Sequence, residues 1–329
     1  MLSADDKLVL ALALERRDRR ALGRVPKTDL HCHGLLSAPL QTYEQLLGRR
    51  VVRAPLVFGG FADFAAYIAT HLLPALASGR AVRTLIRAAF ERMAADGIVY
   101  AEISFDLLLP EFVGVRPEEF ADILREESDR VAAHLTIAPE IGMARGLPPD
   151  EAAPRLQRWM ATGAFRSLDL YDDEHLGKLD DFVPLYRLAE ERGLKLKAHA
   201  GELRGAEVVR DSVEALHLHA VQHGVRAAED PDVMAFLADR GTVLHVCPTS
   251  NCALGVCDGL ENHPARQLFD RGVKITVNSD DFTLFGADVS DELLNLAKIG
   301  FSADEIAQIL DNGLAEIPRS IPPVGGSTY

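Results

Sequence analysis

Cysteine is scarce. Four thiols (Cys32, Cys247, Cys252 and Cys257) in 329 residues do not make a disulfide framework, and a reducing cytoplasm is the expected compartment. Positive charge is short as well. Lys and Arg number 35 against 49 Asp and Glu, a net charge of −14. That argues against nucleic acid or an anionic membrane as partner, because both need a basic surplus. No apolar run approaches a bilayer span: near the start, Leu8–Leu14 covers seven residues, where about 20 are needed. A secretory leader is not expected either. Asp5 and Asp6 stand where a leader carries basic residues, and no small-residue cleavage site follows. Several catalytic signatures are missing too. There is no GxGxxG after the first strand pattern, no GxSxG elbow, no CxxC pair, and no HxE with PCxxC.

What is present is an alternation. Short apolar, β-branched segments lie at 26–33, 98–105, 134–142, 166–172, 194–200, 219–223, 241–247 and 272–279. Between them apolar residues recur at helical spacing, as in Val82, Leu85, Ile86 and Phe90. Gly97, Gly193 and Gly272 stand where helices end before strands. Strand–helix alternation implies parallel strands with right-handed crossovers, and eight of them fit a closed (β/α)8 barrel. An open doubly wound sheet is the alternative. Residues 1–24 are expected to form an N-terminal helix, 25–316 the barrel and 317–329 a loose tail. The charged run Glu15–Arg20 reads as a solvated helix face. The long interval 34–97, after the first strand, is expected to be a helical insertion over the barrel mouth, with Phe61 and Phe64 on an apolar wall.

Catalytic groups of such a barrel project from the C-terminal ends of its strands. Those ends carry His31 and His33, Asp172, His199 with Glu202, His223, and Asp280 with Asp281. In His31-Cys32-His33 the two imidazoles share one face of the strand and Cys32 takes the other. Two neutral imidazoles facing a barrel interior are half of a metal site. Gly201 lets the chain turn so that Glu202 comes back beside His199. A carboxylate next to a metal without binding it is a natural proton shuttle. Asp280 and Asp281 can face different ways, one toward metal and the other toward substrate. Each feature alone has a plainer meaning: Glu202 as a helix-start carboxylate, the Asp pair as a loop cap, His223 as a core histidine. Their convergence on one rim favours chemistry.

The segments Pro26–His33, His199-Ala200-Gly201-Glu202, His223-Gly224, Cys247–Asn251 and Ser279-Asp280-Asp281 together resemble the adenosine deaminase family of metal-dependent aminohydrolases. The resemblance runs from about residue 25 to 315. It implies a (β/α)8 barrel holding one zinc ion on His31, His33, His199 and Asp280. By the same resemblance Glu202 protonates the substrate ring, His223 orients and helps deprotonate the water, and Asp281 accepts a hydrogen bond from the heterocycle. The implied partners are water and a small aminated N-heterocycle or nucleoside, and ammonia is released.

Two positions depart from the family pattern. Leu35 replaces a customary acidic residue, and Asp172 replaces a customary glycine. Both are substrate-contacting positions in the family. The expected substrate is therefore purine-like but other than plain adenosine, with a donor group toward Asp172. The alternatives are deamination of adenosine or adenine proper, hydrolysis of a cyclic amide or ester, and a catalytically silent binding protein.

Overall fold

The computed structural model describes residues 1–321. Eight strands alternate with helices: β1 Lys27–His33, β2 Ile98–Asp106, β3 Thr136–Ala144, β4 Ser167–Tyr171, β5 Lys195–Ala200, β6 Ala220–His223, β7 Val243–Val246 and β8 Lys274–Val277. They pair in chain order, every neighbouring pair parallel. The expected barrel is therefore present, and the open doubly wound alternative is not. The strands β7 and β8 are shorter than the apolar patterns 241–247 and 272–279. The chain leaves the ladder early there to carry Cys247 and Asn278–Asp281 across the rim.

The sheet closes at a thin seam. Cys32 and Asp280 form one isolated parallel bridge, and the Asp280 amide donates to the His31 carbonyl at 3.0 Å. Side chains supply the rest. The Leu30 amide donates to Asn278 Oδ1 at 2.8 Å, and the Ser279 amide donates to Asp29 Oδ1 at 3.2 Å.

Below the rim the interior is ionic. Lys197 is fully buried. Its Nζ lies 2.6 Å from Glu140, 2.9 Å from Glu102 and 2.9 Å from the Leu30 carbonyl. Lys197 and His199 are two apart on β5 and so share the interior face. A buried ammonium with two carboxylates and a carbonyl is one of the few ways to keep such charge inside a fold.

The N-terminal stretch forms two helices where the sequence suggests one over 1–24. Helix α1 covers Ala4–Arg16 and α2 covers Arg19–Leu22. Arg17, at φ 52°, breaks them apart. Ser3 and Asp6 cap α1 reciprocally, and α1 packs on the last helix, Ala303–Ala315. The charged run is not all solvated: Arg19 pairs with Asp96, Asp288 and Asp291. The interval 34–97 holds α3 Leu40–Leu47, α4 Phe61–Tyr67 and α5 Gly79–Ala95. It ends at Gly97, whose φ is +79° and where a Cβ would stand 2.2 Å from the Gly23 carbonyl oxygen. Among the described residues no helix is long and apolar enough to cross a membrane. The Pro322–Ser327 stretch lies outside the described residues.

Candidate active site

The strand-end residues converge at one mouth of the barrel. His31 and His33 face inward from β1. Cys32 is buried on the other side, its thiol 3.5 Å from the Glu102 carbonyl. His199 is the last residue but one of β5, and His223 ends β6. The ring centroids of His31 and His223 are 4.4 Å apart, and those of His31 and His199 are 4.8 Å apart. Three residues of the site, Asp172, His223 and Asp280, have φ of 87°, 59° and 55°. Left-handed backbone at a non-glycine residue costs roughly 1–3 kcal/mol and is found where function holds it in place.

The proton positions on two imidazoles can be read from their partners. His31 Nδ1 is 3.2 Å from the His245 carbonyl oxygen, which can only accept. His199 Nδ1 is 3.3 and 3.1 Å from the two carboxylate oxygens of Asp169. Both Nδ1 atoms therefore donate, and in the neutral rings both Nε2 atoms carry bare lone pairs. Those two Nε2 atoms face each other at 3.1 Å. Facing lone pairs repel unless a cation lies between them. The ligand atoms of His31, His33 and His199 lie within 4.8 Å of one another. Asp280 Oδ1 stands 3.4 Å from His33 Nε2 and 3.7 Å from His31 Nε2. Three imidazoles and a carboxylate thus fit a divalent metal ion.

Electrostatics agree with burial. Burial lowers the His31 pKa far below its ordinary value, helped by the neighbouring imidazoles. Burial opposes charge on both His33 and Asp280, but the carboxylates around His33 outweigh it and favour positive charge there, as a site that receives a cation requires. The carboxylates of Asp281 and Asp280 push His33 up to about 10, and Asp280 is held below the usual carboxylate range. Cys247 lies behind, its Sγ 3.5 Å from His31 Nδ1. Burial pushes its thiol up, so it stays protonated. No three-donor cluster among the described residues includes Cys252 or Cys257.

Glu202 is buried beside these donors, with Oε2 3.4 Å from His223 Nε2. Its Oε1 has no hydrogen-bond partner. Burial, then the charges of Asp280, Glu174 and Asp281, raises its pKa well above the ordinary range. The loop that presents it is clamped. Glu174 accepts the backbone N–H groups of Gly201, Glu202, Leu203 and Arg204 at 3.0, 2.8, 3.0 and 3.3 Å. Gly201 has φ +68°, and a Cβ there would sit 2.3 Å from Val209. Asp281 is also buried with an unpartnered oxygen, Oδ1. Burial and the Asp280 charge push it up to about 8.

Above these groups is a cavity of about 500 Å3. Leu35, Phe61, Phe64 and Asp172 line it, as do Glu202, His223, Asp280 and Asp281. Phe64 stacks on Phe285 at 6.2 Å and meets Phe58 edge-on at 5.5 Å. The insertion thus forms the apolar wall expected of it. Asp172 shares the lining with Asp106, whose carboxyl accepts from the Leu108 amide at 2.6 Å and from the Tyr171 hydroxyl. No Lys or Arg among the described residues lines this cavity or pairs with Asp172.

A family model described as adenosine deaminase matches residues 39–317. The chain belongs to the adenosine deaminase family. It is 32% identical over 288 residues to a putative adenosine/adenine deaminase of Treponema pallidum, covering 87% of this chain and 95% of that one. It is 30% identical over 295 residues to an adenine deaminase of Rhizobium rhizogenes, covering 85% and 90%. Among solved structures it is similar to adenine deaminase from Arthrobacter aurescens, with a TM-score of 0.82 and 27% identity, covering 90% and 95% of the two chains. The chain is therefore an enzyme of the metal-dependent aminohydrolases, acting on an aminated purine-like substrate.

Within that family frame, the roles of several residues around the site were not foreseen from sequence. Asp169 orients His199, Glu174 clamps the loop of Glu202, Asp106 adds a second carboxyl to the Asp172 edge, and Asn251 stands 3.1 Å from His223. A usable signal existed for Asp169: an acidic residue amid the apolar Leu168 and Leu170 of a strand needs a partner. Glu174 offered none, since an acid in Asp172-Asp173-Glu174 looks like an ordinary loop residue.

Proposed function

We propose that this chain is a zinc-dependent hydrolytic deaminase of an aminated purine-like heterocycle other than plain adenosine. The observation that carries the reading is the facing pair of Nε2 atoms on His31 and His199, with the buried Glu202, whose Oε1 has no partner, beside them. His31, His33, His199 and Asp280 would hold the ion. A set of three nitrogens and one carboxylate suits zinc. When bound, the ion supplies Lewis acidity that makes water a nucleophile at neutral pH.

The chain's own groups do the rest. Glu202, kept protonated by burial, donates to the ring nitrogen next to the carbon that bears the amine. This neutralises charge as water adds to that carbon. His223 holds the attacking oxygen, and Asp281 faces the heterocycle. The Glu202 carboxylate so formed takes a proton from the added water and passes it to the amine, and the C–N bond breaks as ammonia leaves. Phe61 and Phe64 keep bulk water from the reacting edge.

Asp172 and Asp106 support a substrate edge that carries a donor. An ionised carboxylate only accepts hydrogen bonds. A purine base without a sugar presents a ring N–H where a nucleoside presents ribose, and relatives named adenine deaminase are in keeping with such a base. That no lysine or arginine among the described residues lines the cavity disfavours a phosphorylated substrate. The test is ammonia release by the metal-loaded enzyme from a panel of adenine, adenosine, 2-amino-purines, pterins, aminopyrimidines and AMP. Release from a base or modified purine, with adenosine poor, supports the reading. Efficient turnover of adenosine sinks its substrate part, and hydrolysis of a cyclic amide without ammonia sinks the reaction.

A further inference from the structure

A chain of hydrogen bonds runs from the outer loops to His223. The backbone N–H of Ala265 donates to His263 Nδ1 at 3.1 Å. His263 Nε2 lies 3.2 Å from Asn251 Oδ1. Asn251 Nδ2 lies 3.1 Å from His223 Nδ1. All three side chains are buried, so no solvent rearrangement is available to them.

One fixed donor sets the direction of the whole chain. A backbone N–H cannot accept, so His263 Nδ1 must offer its lone pair. Burial lowers the His263 pKa to about 4, so the ring is neutral and its proton sits on Nε2. That Nε2–H needs an acceptor, which places the Asn251 oxygen toward His263. The Asn251 amide N–H2 then faces His223, and His223 Nδ1 must accept. Turning the Asn251 amide over would bring the His263 Nδ1–H against the Ala265 N–H at 3.1 Å.

We infer that Asn251 and His263 are positioning residues that lock His223 in the Nε2–H tautomer. Its Nε2–H is then a donor aimed between Glu202 Oε2 at 3.4 Å and Asp280 Oδ2 at 3.8 Å. In the resting enzyme His223 therefore orients an oxygen by donating to it. It does not take a proton at that nitrogen. This narrows the expectation from resemblance, which gave His223 both tasks.

The inference rests on the reading of His223 as the group beside the reacting water. Its primary test needs no substrate, so it stands or falls apart from the deaminase assignment. The metal-loaded protein, labelled with 15N in its eleven histidines, is examined by long-range 1H–15N correlation. The His223 signals are identified by their loss in His223→Ala. The expected spectrum shows His223 with a protonated Nε2 and a bare Nδ1. A protonated Nδ1 in the wild-type protein overturns the inference, whatever the variants do.

Asn251→Asp supplies the second arm. A carboxylate at that position accepts from both imidazoles and pulls the His223 proton to Nδ1. Its kcat should fall about 10²-fold or more, with KM near the wild-type value. Asn251→Ala removes the direction without reversing it and should lose less. A merely structural role predicts the opposite order, because Asp is the closer match in shape. An Asp variant that keeps the Nε2–H tautomer, or outperforms the Ala variant, overturns the inference. If neither variant folds, the wild-type spectrum decides.

Discussion

Glu174 holds Glu202 by the backbone. The Glu202 amide donates to Glu174 Oε1 at 2.8 Å, and the amides of Gly201, Leu203 and Arg204 donate to the same carboxylate. Four N–H groups converging on one anion form a nest. The loop carrying the proposed proton donor is thus fixed at its root, while Oε1 of its side chain is left without a partner.

Replacing that anchor tests the arrangement. Glu174→Gln puts an amide nitrogen where two oxygens now accept. Metal content should be unchanged and kcat should drop by up to about 10²-fold, the usual cost of a small misplacement at a catalytic group. Elemental analysis beside steady-state kinetics checks it. Loss of the metal would show that Glu174 supports the donor cluster itself.

Glu202→Gln keeps size and loses the proton. The expected outcome is full metal occupancy with kcat lowered about 10²–10⁴-fold. A variant within a few-fold of wild type would remove Glu202 from the mechanism.

Asp169→Asn should weaken the metal site. Asp169 receives the His199 Nδ1–H, which fixes the ring and raises the basicity of Nε2. Loss of such a partner typically costs about 10–100-fold in metal affinity. Competition against a fluorescent zinc chelator measures it, and an unchanged affinity would disconnect His199 from the ion.

Lys197→Met leaves Glu102 and Glu140 facing each other without their shared ammonium. Stability should fall by about 3–5 kcal/mol, as for other buried pairs that lose one member, read as urea midpoint and Tm. The pH dependence has a definite sign. Burial would raise the Glu102 pKa, but Lys195 and Lys197 hold it below its ordinary value of 4.5. A carboxylate depressed in the folded state gives stability that is complete above that ordinary value and is lost as pH falls. The Met variant lacks that contribution, so its stability deficit against wild type should be full above that value and shrink as pH falls. A deficit that stays constant on acidification would mean that Lys195 alone keeps Glu102 ionised.

The double variant Asp172→Gly/Leu35→Asp should gain on adenosine. It removes a carboxylate from the cavity edge and adds an acceptor where the sugar hydroxyls would lie. An unpaired buried polar group costs about 1–3 kcal/mol, so kcat/KM for adenosine should rise about tenfold or more. No gain would show that these two positions do not set substrate choice.

The barrel and the rim were legible in sequence because both follow from short-range rules. Two-residue alternation placed His31 and His33 together and sent Cys32 away. Strand-end position then gathered His199, His223, Asp280 and Asp281 from distant parts of the chain. The layer beneath was not legible. In Leu194-Lys195-Leu196-Lys197 the alternation is that of a strand with a solvated face, but in a closed barrel that face is the interior. The Asn251–His263 link was hidden for another reason. The two residues are separated by a loop without periodicity, and only the Ala265 amide gives their contact a direction.

The seam between β1 and β8 has a consequence for how the chain matures. His31 and His33 lie on the first strand and Asp280 follows the last, joined there by one bridge and a few side-chain bonds. His31 and His33 are thus made long before Asp280, the fourth of the proposed ligands. An ion held by all four spans this weakest line of the barrel and staples its beginning to its end. Capture of an ion by all four would then report that the barrel has closed. The metal-free chain should open first along this line, which makes β1 and the Asn278–Asp281 segment the earliest to exchange their amides and the first exposed to proteolysis.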